Sequence, residues 1–104
     1  MHNHTRTANP LPSTRAHIAA RARAAARRIA YNQQVERWEQ LLRMEQALED
    51  STALYFSGAP HPARFQSDFD WLEELIRGGE TLSRWMADCV DRLSALQEQE
   101  GGQR

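Results

Sequence analysis

The sequence predicts an all-α chain: an antiparallel helical hairpin or small helical bundle with a long N-terminal helix. Three observations carry this. Residues 15–56 contain neither proline nor glycine, so nothing in that stretch breaks a helix. Ser57-Gly58-Ala59-Pro60-His61-Pro62 then makes the firmest stop in the chain, because glycine closes helices in a left-handed conformation and two prolines prevent immediate resumption. From Ser67 to about Gln99, apolar residues return every seven positions in three adjacent rows. Such a broad face suits a bundle better than a two-row dimeric coiled coil.

At 104 residues, 40% hydrophobic and 26% charged, the chain fits one small domain with a single modest core. The expected organisation is a flexible arm (1–14), a helical domain (15–99) and a tail (100–104). The domain divides into a long helix 15–56, a loop 57–62 and a helical arm 63–99. No apolar run approaches the roughly 20 residues needed to span a bilayer, and the polar amino end lacks a secretory h-region. Cys89 is the one cysteine, which excludes an intramolecular disulfide and a Cys-rich metal site. These features point to a reducing, cytoplasmic compartment. All thirteen basic residues are arginine, the codon habit expected of a GC-rich bacterial genome.

The formal net charge of −1 hides an asymmetry. Residues 1–35 hold Arg6, Arg15, Arg21, Arg23, Arg27 and Arg28 and no acid, about +6; residues 36–104 carry all the acids and total about −7. The two parts could neutralise each other within one molecule or between two copies.

In the amino-terminal arm, Pro10 and Pro12 oppose helix and Ser13 or Thr14 can cap one. His2 and His4 read as solvated side chains, so no metal is expected. From Arg15, a helical wheel puts Ile18, Ala22, Ala25 and Ile29 on one narrow stripe, with Arg21, Arg23, Arg27 and Arg28 opposite. Alanine and arginine lose little on becoming helical, so propensity is high while the burial offered is low. The stripe then jumps: Tyr31, Val35, Trp38 and Leu42 lie nearly opposite the isoleucines, and Leu41, Leu48 and Tyr55 continue with the slow drift of wrapped helices. Either one continuous helix shows two faces to different surroundings, or it bends or breaks near Tyr31–Asn32.

After the loop, in which His61 carries no chemistry, Pro62 suits a first helical turn and Ser67-Asp68-Phe69-Asp70 has the form of a capping box. A short connection favours antiparallel neighbours. In the second arm the rows are Phe69, Ile76, Ser83, Val90; Leu72, Gly79, Met86, Leu93; and Leu75, Leu82, Cys89, Leu96. Gly78-Gly79 interrupts them at a cost of about 1 kcal/mol per glycine. The rows keep phase across the pair, which favours one kinked arm over a split into two helices. Counting back from the loop brings Trp38 and Leu42 level with Gly79 and Ser83, with the glycine making room for the Trp38 ring. The expected core is Trp38, Leu41, Leu42, Leu48, Leu72, Ile76, Gly79, Met86 and Leu93. Trp71 and Trp85 fall on one flank, where a two-helix seam leaves them partly exposed and available as interface residues.

The composition of surfaces points to a non-enzymatic interaction protein: an adaptor, assembly chaperone, inhibitor or small regulatory subunit. The hairpin would pack with itself or with a partner helix, as a homo-oligomer or a subunit of a complex, and the basic segment would bind an acidic surface through Arg15, Arg21, Arg23, Arg27 and Arg28. The alternative is nucleic acid, with the same arginines on phosphates. Neither a helix-turn-helix nor stacking aromatics among the arginines supports sequence readout. For enzyme chemistry the residues are poorly disposed. Cys89 sits on the apolar face with no histidine placed to activate it, Glu73, Glu74, Asp88 and Asp91 lie on polar faces, and neither a Glu-x-x-His pair nor a phosphate loop is present. No cofactor is implied.

Overall fold

The computed structural model describes the backbone of residues 12–101, with side chains over 14–99. Two helices, α1 (Pro12–Phe56) and α2 (Asp68–Gly101), fold back on each other as an antiparallel hairpin. Among the described residues there is no strand. α1 has 45 residues and α2 has 34, so the rods are about 67 and 51 Å long at 1.5 Å per residue. The radius of gyration is 24.5 Å, against about 13 Å for a compact domain of this length. Two long helices joined by one connection have only a seam one helix wide to share.

α1 begins at Pro12, earlier than the arm boundary the sequence suggests, so residues 12–14 are helical. Proline suits that first position, where its missing N–H has no intrahelical partner to lose. Residues 1–11, including His2, His4, Arg6 and Pro10, and residues 102–104 lie outside the described residues. α1 continues without a break past Tyr31 and Asn32, which decides for one rod with two differently placed faces. It ends in a Schellman cap: Gly58 has φ 84°, its N–H donates to Tyr55 O at 3.2 Å, and Ala59 N–H donates to Leu54 O at 3.1 Å.

The connection occupies 57–67, longer than the 57–62 loop expected. Pro62 opens only an isolated turn, closed by Phe65 N–H on Pro62 O at 3.0 Å. α2 starts where the capping residues stand, with Ser67 Oγ accepting the Asp70 N–H at 3.1 Å and Asp68 and Asp70 in the first turn. His61 Nδ1 lies 3.0 Å from Asp68 Oδ1 and ties the connection to that turn. At the other end α2 includes Glu100 and Gly101, which the sequence suggests belong to the tail. It also runs unbroken through Gly78 and Gly79, which excludes the split.

The longer connection changes the register by between one and two turns, from Leu42 to Leu48 at the level of Gly79. Leu48, not Trp38, sits opposite the glycines: a Cβ on Gly78 would lie 3.5 Å from Leu48 Cδ1, and one on Gly79 would lie 3.7 Å from Leu48 Cδ2. The buried apolar side chains are Leu41, Trp71, Leu82 and Cys89, of which Leu41 and Cys89 are fully buried. Trp38, Leu48, Met86 and Leu93 pack around the Leu41–Leu82–Cys89 cluster. Leu72 and Gly79 are half-buried. Leu42 and Ile76, expected inside, are exposed at 41% and 54%. The seam runs along Leu41–Leu48–Tyr55 and Leu75–Leu82–Cys89–Leu96, and both residues stand one position, about 100°, past it. A single facing helix covers about two of the three apolar rows of α2, so the outermost row stays open.

Candidate interaction surfaces

Towards its amino end the seam turns polar. The buried row of α1 passes from Leu41 to Gln34 and then Arg27 at seven-residue steps. Cys89 Sγ donates to the Gln34 carbonyl at 3.3 Å, with Gln34 Oε1 at 3.6 Å. Beyond that, Gln97 Nε2 reaches Tyr31 Oη at 3.5 Å, and Leu96 and Gln97 border a shallow depression with Ala24, Arg27, Arg28 and Asn32. α2 ends about there, so the stretch from Pro12 to about Arg23, roughly 18 Å of helix, projects past it. Alanine-rich helix needs little tertiary support to persist over such a length.

The structure therefore divides the five candidate arginines. Arg15, Arg21 and Arg23 are exposed on the projecting stretch, Arg28 is exposed at the rim of the depression, and Arg27 is half-buried against the end of α2. α2 has no basic residue in its last turn, and Arg27 and Arg28 lie beside Leu96 and Gln97, about a turn before its end. Among the described residues, ion pairs join Arg77 to Glu73 and Glu74 and Arg92 to Asp88, and His61 makes a polar contact with Asp68. None involves the basic stretch or crosses from α1 to α2. The charge asymmetry is thus not neutralised by direct pairing within the described hairpin. Ile18 and Ile29 are both exposed, in keeping with the low burial their stripe offers.

The two flanking tryptophans part company. Trp85 is 42% exposed, with the Arg37 guanidinium 5.3 Å from its ring centroid. Trp71 is only 3% exposed and meets the Tyr55 ring edge-on, centroids 5.3 Å apart. The partial exposure expected of both holds for Trp85 alone. The reason is the connection: Arg64 and Phe65 fold over the same face as Trp71, Met44 and Ser51, around a groove of about 320 Å³. A register count has no way to place a loop side chain over a helix, and Trp71 had no signal beyond its closeness to the α2 start.

The opposite face has no such cover. Antiparallel helices of one hand turn in opposite senses seen from one end, so the row just past the seam falls on the same side in both. That side carries Leu42 and Phe56 from α1 and Phe69, Ile76 and Val90 from α2, all exposed. Trp38, Leu72, Met86 and Leu93 are half-buried at its inner edge. Between Phe69 and Gln97 the two α2 rows of this face hold no charge, although Glu73, Arg77 and Glu80 border Ile76 at the outer edge; the α1 part between Tyr31 and Phe56 holds Glu45 and Glu49.

Reactive groups do not converge. The Cys89 thiol is 2% exposed and already engaged with Gln34. Among the described residues no three metal-ligating side chains come together, and no helix is long and apolar enough to cross a membrane. The fold and these surfaces define an all-α hairpin with a projecting basic end and an open apolar face. No family model, curated protein or solved structure matches the chain.

Proposed function

We propose that the protein is a non-enzymatic helical interaction protein, an adaptor, assembly chaperone, inhibitor or small regulatory subunit. Its hairpin packs with itself or a partner helix, and its basic N-terminal segment binds an acidic surface. The observation that carries this reading is the projecting arginine stretch, which lies outside the seam and has no ion-pair partner among the described residues. A helix end that adds little to the core and holds several exposed guanidiniums is suited to carboxylate-rich surfaces, which arginine engages with paired N–H donors. Arg15, Arg21 and Arg23 point the reading at the tip, while Arg27 and Arg28 extend it to the rim of the depression.

Nucleic acid is the second reading, favoured by the same exposure, because an arginine-bearing helix can lie along phosphates with little sequence readout. One experiment separates the two. The purified chain is tested against an acidic peptide such as polyglutamate and against duplex DNA and single-stranded RNA, at low and moderate salt. The expected result is binding to the carboxylate polymer that Arg15→Ser/Arg23→Ser weakens about tenfold, with helix content unchanged. Tighter binding to a nucleic acid, falling with a log–log salt slope of about −0.9 per phosphate engaged, would reverse the ranking. Binding to neither, or binding indifferent to the arginines, would end the reading.

A further inference from the structure

The open face of the hairpin needs an occupant, and three observations name one. The first is area. The face spans roughly 25 residues of each helix, about 36 Å by two helix widths, or about 700 Å². That is close to the roughly 800 Å² each partner gives to a standard stable interface.

The second is self-complementarity. The outer row of α1 reads Arg21, Arg28, Val35, Leu42, Glu49, Phe56 at seven-residue steps. Laid antiparallel on its own copy about a point near Trp38, it sets Arg28 level with Glu49, Val35 with Leu42, and Arg21 with Phe56. Every contact is favourable in kind: an ion pair, an apolar pair and an arginine against an aromatic ring. A two-fold interface repeats each of them.

The third is length. α1 projects beyond α2 at its amino end, and in this pairing each projection lies over the connection end of the other hairpin. That is where Phe56, at 76% exposure, and Phe69, at 66%, are barest. It also brings the acid-free stretch towards Glu49 of the other copy, between molecules, where the charge asymmetry is left unpaired within one.

We propose that this face is covered by a second copy of the chain, the two hairpins pairing across a two-fold axis with their α1 helices antiparallel and Arg28 of each against Glu49 of the other. The product is a four-helix bundle in which neighbouring helices all run antiparallel. Arg15 and Arg23 lie on other rows and stay outward. The inference rests on the interaction reading in fixing one occupant for the hairpin; it takes Arg21 and Arg28 into the pairing and leaves Arg15 and Arg23 for what the basic tip binds.

The test is the mass of the full chain by light scattering, from about 1 to 100 µM, together with the concentration dependence of its thermal midpoint. The expected mass is twice 12.0 kDa, with a midpoint that rises with concentration. Ile76→Glu should raise the dimer dissociation constant about 100-fold, while Leu54→Glu, equally exposed on the other face, should leave it unchanged. Arg28→Glu and Glu49→Arg should each weaken pairing about tenfold, and the double variant should restore it. The swap keeps the composition, so it also answers any loss of folding in Ile76→Glu. A mass of 12.0 kDa at every concentration, an equal effect of Leu54→Glu and Ile76→Glu, or a double variant no better than the singles would overturn the proposal. A monomer that still binds carboxylates through Arg15 and Arg23 would sink the dimer alone. A dimer that binds neither acid nor nucleic acid would sink the functional reading alone.

Discussion

The two parts of α1 are one continuous helix put to opposite uses. From Gln34 to Tyr55 it contributes Leu41, fully buried, and Trp38 and Leu48, which pack on the core. From Pro12 to about Arg23 it contributes exposed arginines and an exposed Ile18. Being helical and being committed to a core are therefore separate properties. Alanine and arginine supply the first by propensity, and only large side chains at seam spacing supply the second. Between the two parts, Gln34 and Arg27 occupy seam positions, and the apolar contact ends there.

The comparison makes unequal demands on unlike residues. Leu41→Ala should lose about 2–5 kcal/mol of unfolding free energy in urea titrations, since a fully buried leucine leaves a cavity among Leu82, Cys89 and Trp38. Ile18→Ala on the projecting stretch should change it by less than about 0.5 kcal/mol. Comparable losses would mean that the basic end is packed after all.

A smaller effect tests the α2 side of the seam. Gly79→Leu should cost about 1–3 kcal/mol, because Leu48 already fills the space beside it. Gly78→Ala should instead gain up to about 1 kcal/mol, since its methyl would sit at ordinary contact distance, 3.5 Å from Leu48 Cδ1, and the helix loses a glycine. If the alanine were as costly as the leucine, the glycines would be needed for an approach closer than the structure has. Both melts should be compared at one protein concentration.

Much of the hairpin was legible because its punctuation is chemical. Gly58 takes the left-handed cap and Ser67 the N-cap, each for a reason visible in the residue itself. The register was missed by more than a turn, because Ala63 to Gln66 carry no mark that keeps them out of helix. Every residue added to the connection slides the arms, and so Leu48 replaced Trp38 beside the glycines. The core face was ambiguous for a related reason. Three apolar rows on α2 allow the seam to centre on any of them, and Ile76 and Leu42 fall outside once Leu82 and Leu41 take the middle. For the candidate site, the arginines were legible as a charge run, whereas their projection beyond α2 depends on where two helices end. Trp71 was misjudged because Phe65, far from it on any helical wheel, folds over its face.

Native-state hydrogen exchange on the full chain tests most directly whether α1 is divided between core and free surface. The amides from Gln34 to Tyr55 should exchange only through the highest-energy openings, close to global unfolding, while those from Arg15 to Arg23 should exchange with the low protection of a frayed, unpacked helix. Uniformly high protection along α1, with Arg15–Arg23 as slow as Leu41, would contradict the account and make the basic end part of the packed structure.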